Sequence, residues 1–465
     1  MTATTARDGD TAFLGHPKGL GFLAFTEAWE RFSYYGMQSL LVLYMTKMLL
    51  LAPHVEQIVG FAAFERVIQF VYHPGASTQA ISSAIFGLYS SLVYLTPILG
   101  GILADQLLGK TRTIILGGLL MAAGHFLMAF DSSFLLALLC LVLGTGCFKG
   151  NIAGQVGSLY GDSDLRRADA FQIFYLGINA GVIAAPLIAG TLGEKVGWHY
   201  GFGVAGIGML IALVIYMIGR RHLPPDPPLR GKAKVAKPKL QPGEGRTVAL
   251  LILLLPVLSA SVLANQQIFN AYLVWADRSV DLTFGGDKVP TTWLITLDSV
   301  MSVSFLAGMV VFWRLWAKRF KEPDEIGKLT IGAFVSVTGV LSLAAGAIIA
   351  EQTGTKVSIW WCVLFHILNS IAFANMLPVS LALYARAAPA AMGGTIIGIY
   401  YLHLFAGNQT VGILGTLLEK MPASQFWLMH AAIAAGAGVV FLIVGRFFAK
   451  WLSHENTSEA RGRAV

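Results

Sequence analysis

RRHLPPDPPLRGKAKVAKPKLQPGEGR, from Arg220 to Arg246, is the longest polar interruption in this chain of 465 residues. Its Pro and Lys content reads as an extended, solvated linker. On either side the chain is apolar. Over the whole sequence 55% of residues are hydrophobic and 12% are charged, against about 25% charged in a soluble domain. That deficit excludes a soluble, disordered or nucleic-acid-binding protein. At about 20 apolar residues per span, twelve crossings need roughly 240 residues, which the chain accommodates. Working outward from the linker, six apolar runs precede it, at 19–50, 79–108, 111–130, 133–159, 168–193 and 199–220. Six follow it, at 247–276, 291–316, 328–350, 357–384, 391–418 and 424–448. No alternating pattern of about ten residues recurs, which argues against an outer-membrane barrel. The fold class is therefore an all-α polytopic membrane protein with 12 transmembrane helices.

The basic residues set the orientation. Lys110 and Arg112 follow the second run, Arg166 and Arg167 follow the fourth, and Arg314, Lys318, Arg319, Lys321 and Lys328 flank the gap after the eighth. The alternate loops balance Glu194 with Lys195, Glu351 with Lys356 and Glu419 with Lys420. Both termini are expected in the cytoplasm, and the net charge of +8 is read as loop placement. The N-terminus carries no compact apolar signal with a cleavage site, so the first span is expected to direct its own insertion. Cys140, Cys147 and Cys362 lie in apolar stretches, odd in number and without disulfide or metal spacing. They read as core residues. His125, His366, His403 and His430 stand singly. No phosphate loop, H-E-x-x-H or nucleophile elbow is present, so no enzyme, metal or cofactor is expected.

Charges inside the bilayer cost about 2.5–3.5 kcal/mol each at its centre and need partners or a task. FTEAWERFSYYG, Phe25 to Gly36, sets Glu27, Glu30 and Arg31 at i, i+3 and i+4 on one helical face, with Tyr34 continuing the stripe and Tyr35 beside it. Lys149 lies in the fourth span and Asp298 in the eighth. Three acids and two bases leave one negative charge in excess, and binding a proton relieves it. This pattern points to a hydrated chamber used for proton coupling.

Two six-helix halves joined by a cytoplasmic linker resemble the major facilitator layout of inverted repeats. The expected parts are a tail at 1–18, a bundle at 19–220, a linker at 221–246, a bundle at 247–448 and a tail at 449–465. GGILADQLLGKTRT, Gly100 to Thr113, resembles the loop motif G-x-L-a-D-x-x-G-[RK] of that superfamily. The resemblance implies a cytoplasmic gate built on Asp105, Lys110 and Arg112. Glu27-x-x-Glu30-Arg31 followed by FSYYG resembles the E-x-x-E-R-F-x-Y-Y-G signature of the proton-dependent oligopeptide transporters (the POT or PTR family). Phe174-Tyr175-Leu176-Gly177-Ile178-Asn179-Ala180-Gly181 resembles its second signature. TGCFKGN around Lys149 and WHYGFGVAGIGM from Trp198 resemble two further segments.

The resemblance implies a proton-coupled symporter that imports di- and tripeptides by alternating access. Its partners are small peptides, protons and the bilayer, with no nucleic acid and a monomeric state expected, in a bacterial inner membrane. Proton coupling falls to Glu27, Glu30, Arg31, Lys149 and Asp298. Substrate contacts fall to Arg31, Tyr34, Tyr35, Tyr94, Lys149, Asn151, Asn179, Trp293, Asn375 and Trp427. In this reading Lys149 neutralises Glu30 until a substrate carboxylate competes for it. The departures from the family matter as much. Gln38 replaces a common Arg, and Asn265-Gln266-Gln267 lacks a common acid, so an ion-pair gate between spans 1 and 7 is lost as a pair. Gly87 stands where animal relatives have a histidine. Phe373 stands where peptide-transporting relatives carry the Glu that receives the peptide amino group. The alternative reading is a major facilitator carrier for another solute, a nitrate-like anion or a drug moved by proton antiport.

Overall fold

The computed structural model describes residues 10–161, 164, 166–226, 240, 241, 243–389 and 391–452. Most of the expected linker and much of both expected tails lie outside the described residues. Helices occupy all twelve expected spans: α1 Lys18–Tyr44, α2 Thr78–Leu103, α3 Lys110–Leu127, α4 Phe134–Ser158, α5 Arg166–Ala185 and α6 Trp198–Gly219, then α7 Glu244–Ser261, α8 Trp293–Ala317, α9 Glu325–Thr353, α10 Trp360–Ala387, α11 Leu402–Gly415 and α12 Ala423–Phe447. A shorter helix, Gly393–Tyr400, precedes α11. The chain is thus an all-α polytopic membrane protein. Among the described residues, nine helices are long and apolar enough to cross a membrane on those grounds alone. The other three have identifiable reasons for falling short. α1 carries Glu27, Glu30 and Arg31, α3 gives its first turn to Lys110, Thr111, Arg112 and Thr113, and the eleventh span is broken at Tyr401.

Sequence patterning assigned no element between 50 and 79, yet the helix Phe61–Tyr72 forms there. Only Phe61, Ile68 and Tyr72 are buried, while Phe70 is largely exposed. Among the described residues, β structure amounts to one isolated bridge and two pairs of two-residue strands, one of them a hairpin across Gly285 and Gly286, both at positive φ.

The contacts divide the chain into two compact units. One comprises Met1–His73, Leu92–Ala233 and Lys288–Ser299; the other comprises Pro74–Ser91, Lys234–Asp287 and Val300–Val465. Each takes its bulk from one side of the expected linker and a short helical end from the other. In the first unit, both carboxylate oxygens of Glu194 accept from the backbone N–H groups of Thr291 and Thr292, at 2.9 and 2.8 Å. These are orphan donors at the start of α8, and an acid there also meets the helix dipole. Trp293 Nε1 donates to Thr191 Oγ1 at 2.9 Å, and Thr296 donates to the Ile183 carbonyl. In the second unit, Gln79 donates to the Gly415 carbonyl and Gln409 to Ser91 Oγ at 2.8 Å, joining the first half of α2 to α11. Glu419 accepts from Ser77 and pairs with Arg278 at 2.6 Å.

Lipid tails are as apolar as leucine, so helices here associate by close packing of small residues. α2 meets α4 in this way: a Cβ added to Gly100 would fall 2.0 Å from the Gly146 carbonyl oxygen. The other end of α2 meets α11 at Gly87, where a Cβ would lie 2.4 Å from Gly412 Cα. No imidazole fits at Gly87. Gly101, one residue along from Gly100, faces open space. Gly100→Ala is therefore expected to destabilise the protein by about 1–3 kcal/mol, while Gly101→Ala stays within about 0.5 kcal/mol of wild type. Thermal unfolding of the detergent-purified proteins measures the difference. Equal melting of the two variants would contradict the α2–α4 approach.

Candidate functional site

The charged stripe of α1 faces inward. Glu27, Glu30 and Arg31 are 3%, 0% and 4% exposed. Arg31 Nε lies 3.1 Å from Glu27 Oε1 and 2.6 Å from Glu30 Oε2. One guanidinium therefore serves two carboxylates. The i, i+4 spacing delivers Glu27 to it, and the adjacent Glu30 curls onto the same nitrogen. The arrangement leaves polar capacity unused. Among the described residues, Glu27 Oε2, Glu30 Oε1 and Arg31 Nη2 have no hydrogen-bond partner.

The surrounding helices hold α1 firmly. Ser33 donates to the Ala205 carbonyl of α6 at 2.7 Å. Arg31 lies over the Tyr34 ring, its Cζ 5.6 Å from the centroid, and Tyr34 meets Tyr35 edge to face. Asp298, on the first turns of α8, is buried and acts electrostatically on Tyr35. Lys149, on α4, is half-buried and has its ammonium 4.8 Å above the Tyr94 ring of α2, a cation–π contact. Its charge acts on both glutamates. Among the described residues it makes no ion pair within 4 Å, and Arg31 is the base in contact with both acids.

The remaining expected contacts divide. Tyr34, Tyr35 and Tyr94 stand around the charged cluster. Asn151 is buried and donates to the Gly100 and Cys147 carbonyls at 3.2 and 2.8 Å, which ties α4 to α2. Asn179 is half-buried and donates to the Tyr175 carbonyl. Three others are engaged elsewhere. Trp293 joins the start of α8 to α5, as described. Asn375 is fully buried, donates to the Ile371 carbonyl and accepts from Trp313 Nε1 at 2.9 Å. Trp427 is fully buried among Tyr272, Trp275, Phe426 and His430. Trp427 and Asn375 are thus enclosed by their neighbours, whereas Trp293 is exposed. Among the described residues, no group of three His, Cys, Asp or Glu side chains could hold a metal ion.

At the loop after α2, Asp105 and Arg112 are exposed and Lys110 is half-buried. Sequence reading missed Asp226 there. Its carboxylate accepts from the Thr111 N–H at 2.9 Å and from Thr111 Oγ1 at 3.0 Å. It caps α3, whose own preceding residue is a glycine at positive φ. Gln155 donates to Thr111, and Tyr216 to Gln155. The available signals were an acid among prolines in LPPDPP and a helix start without its own cap.

These features define an integral membrane transporter of the twelve-helix carrier type. A model of the POT family matches residues 111–240 and 232–431, and the chain belongs to that family. It is 28% identical to the peptide transporter YePEPT of Yersinia enterocolitica, over 96% of this chain and 97% of that one. It is 35% identical to a di-/tripeptide transporter of Lactococcus lactis subsp. cremoris, over 76% of this chain and 62% of the relative. A crystal structure of peptide transporter POT in complex with sulfate superposes with a TM-score of 0.81 at 25% identity, over 95% of this chain and 96% of that one.

Removing the shared base should be the most damaging single change in the cluster. Arg31→Ala strands two buried carboxylates and is expected to lower stability by about 3–5 kcal/mol. Glu30→Gln keeps the Glu27–Arg31 pair and should lower it less. Thermal melting of the purified variants checks the order, and a wild-type melt for Arg31→Ala would contradict the shared-base arrangement.

Proposed function

We propose that this protein is a proton-coupled symporter that imports di- and tripeptides by alternating access across a bacterial inner membrane. One observation carries the reading: two buried carboxylates share a single guanidinium, and that guanidinium retains an unused nitrogen. The names of its relatives support the peptide substrate class. Protonating Glu30 removes one of Arg31's two ionic partners. The planar fork of Arg31 then accepts a peptide carboxylate in the vacated position, and Lys149 can leave the Tyr94 face to join it. Release of the peptide returns Arg31 to Glu30, and the proton leaves. Coupling is thus competition between two anions for one cation in a low-dielectric site. Tyr34, Tyr35 and Tyr94 supply hydroxyls around the docked carboxylate. Asp298 serves proton binding or gating at the other side, in place of the lost charge pair of spans 1 and 7. Both termini and the gate of Asp105, Lys110 and Arg112 are cytoplasmic, the bundles 19–220 and 247–448 rock about the site, and the protein works as a monomer.

A membrane potential contributes about 2.3 kcal/mol per charge per 100 mV, enough for roughly 50-fold accumulation per proton. Proteoliposomes with an acidic exterior and an interior-negative potential should concentrate a labelled dipeptide, and a protonophore should abolish this. Glu27→Gln, Glu30→Gln and Lys149→Ala should lose most of that accumulation. Absence of acid-driven uptake together with outward drug movement would instead favour antiport.

The substrate's amino group raises a second reading. Phe373 offers no charge, and the Asn375 oxygen already accepts from Trp313. These observations favour a carboxylate-bearing solute without a free amino group, unless Asp298 receives that group. Asp298→Asn separates the two. If Asp298 binds the amino group or a coupling proton, this variant loses its preference for free over N-acetylated dipeptide or changes its pH dependence. A variant unchanged in both respects removes Asp298 from the mechanism.

A further inference from the structure

The second half of α8 stands apart from its neighbours within the second unit. From Leu306 to Phe320 its apolar side chains are mostly exposed. Polar side chains reach across the gap: Trp313 Nε1 donates to Asn375 of α10, and the Lys328 ammonium of α9 lies 5.1 Å from the Trp313 ring centroid. Between these helices is a cavity of about 610 Å³. Its deeper wall is apolar, with Leu306, Met309 and Val310 facing Ala374, Pro378 and Val379; its mouth is charged.

The charges at that mouth are not equivalent. Each acid is engaged: Glu322 pairs with Lys328, Asp324 caps α9 at the Gly327 N–H, and Glu325 is held by two nitrogens of Arg386 at 2.8 and 2.9 Å. Arg314 lines the mouth, exposed, and Lys318, Arg319 and Lys321 follow on exposed backbone. An exposed aromatic run lies at the same depth, with Phe312, Trp316 and Phe320 around Trp313. Aromatic rings of this kind settle at the membrane–water interface. They put the four cations at headgroup depth, with the apolar cleft leading from them into the hydrocarbon.

We propose that this cleft is a binding site for an anionic phospholipid, its phosphate held by Arg314, Lys318, Arg319 and Lys321 and one acyl chain lying between α8 and α10. Net positive charge selects the anionic headgroup. The apolar walls require a chain, so a free phosphate does not suffice. An occupied cleft holds the second half of α8 away from α10, with the Trp313–Asn375 tether bridging it.

The test is native mass spectrometry of the full-length, delipidated protein in detergent, titrated with phosphatidylglycerol or phosphatidylcholine. Wild type should retain phosphatidylglycerol at least about fivefold better, and excess inorganic phosphate should not displace it. Replacing Arg314, Lys318, Arg319 and Lys321 together by Ala should reduce that preference to less than about twofold. Val379→Trp, which fills the cleft, should weaken retention of both lipids. A matched control, Lys356→Ala with Lys420→Ala, should keep the wild-type preference. Equal binding of the two lipids by wild type would overturn the proposal. So would an unchanged preference in the charge variant, full retention by Val379→Trp, or displacement of the lipid by dipeptide. If the fourfold variant does not fold, Arg314→Ala alone decides, with at least a twofold loss of preference expected and an unchanged preference overturning the site.

Discussion

A single guanidinium inside the bilayer balances two carboxylates, and much of the first unit is arranged around that constraint. Separate ion pairs would need two bases, each with its own desolvation penalty. Here Arg31 Nε approaches both Glu27 and Glu30, and the second available cation, Lys149, rests on an aromatic ring instead. The cluster is therefore one positive charge short of local balance without Lys149 and balanced with it. Small displacements of a proton or of one ammonium change its net charge by a whole unit, and in a medium of low dielectric that change has a large effect. A well-satisfied pair would be more stable and less responsive. Among the described residues, Glu27 Oε2, Glu30 Oε1 and Arg31 Nη2 have no hydrogen-bond partner.

Holding such a cluster requires rigid backbone, which the chain obtains from glycine. The carbonyl of Gly146 can approach Gly100 only because no Cβ intervenes. That approach brings Tyr94 of α2 beneath Lys149 of α4, and Asn151 reinforces it with a hydrogen bond to the Gly100 carbonyl. Asn151 thus helps to fix α4 against α2 beside the charged groups. The loop motif that contains Gly100 has two roles in the same stretch: close packing at its first glycine, and an exposed charged turn at Asp105 and Arg112.

The architecture was largely legible from the chain because membrane insertion imposes a coarse, periodic signal. Runs of about twenty apolar residues identify the spans without packing detail. The charged stripe of α1 was equally legible, since i, i+3 and i+4 spacing fixes its face. What escaped was pairing between distant segments. Glu194 and Glu351 were read as charges balancing a neighbouring lysine. In the structure Glu351 accepts from the Ser424 N–H and hydroxyl at the start of α12, Glu194 does the same for the backbone leading into α8, and Asp226 does so for α3. At each of these three helix starts an acid from elsewhere in the chain supplies the acceptor, and sequence spacing does not say from where. The surroundings of Trp427 and Asn375 escaped for a related reason. A large aromatic or an amide suits a pocket and a core equally, and only its neighbours distinguish them.

The same logic bears on the charges this chain lacks. Gln38 and Asn265 stand where the family resemblance leads one to expect opposite charges, and their joint neutrality leaves no stranded ion behind. Holding power on the side poor in basic residues instead comes from groups at helix ends. Glu194 reaches backbone N–H groups that no helix can satisfy internally, and Glu419 links Ser77 to Arg278. Contacts of this kind are partly solvated, so breaking them returns each group to water and costs far less than separating a buried ion pair. Among the described residues, the buried Asp, Glu, Lys and Arg side chains are Glu27, Glu30 and Arg31 of α1 and Asp298 of α8.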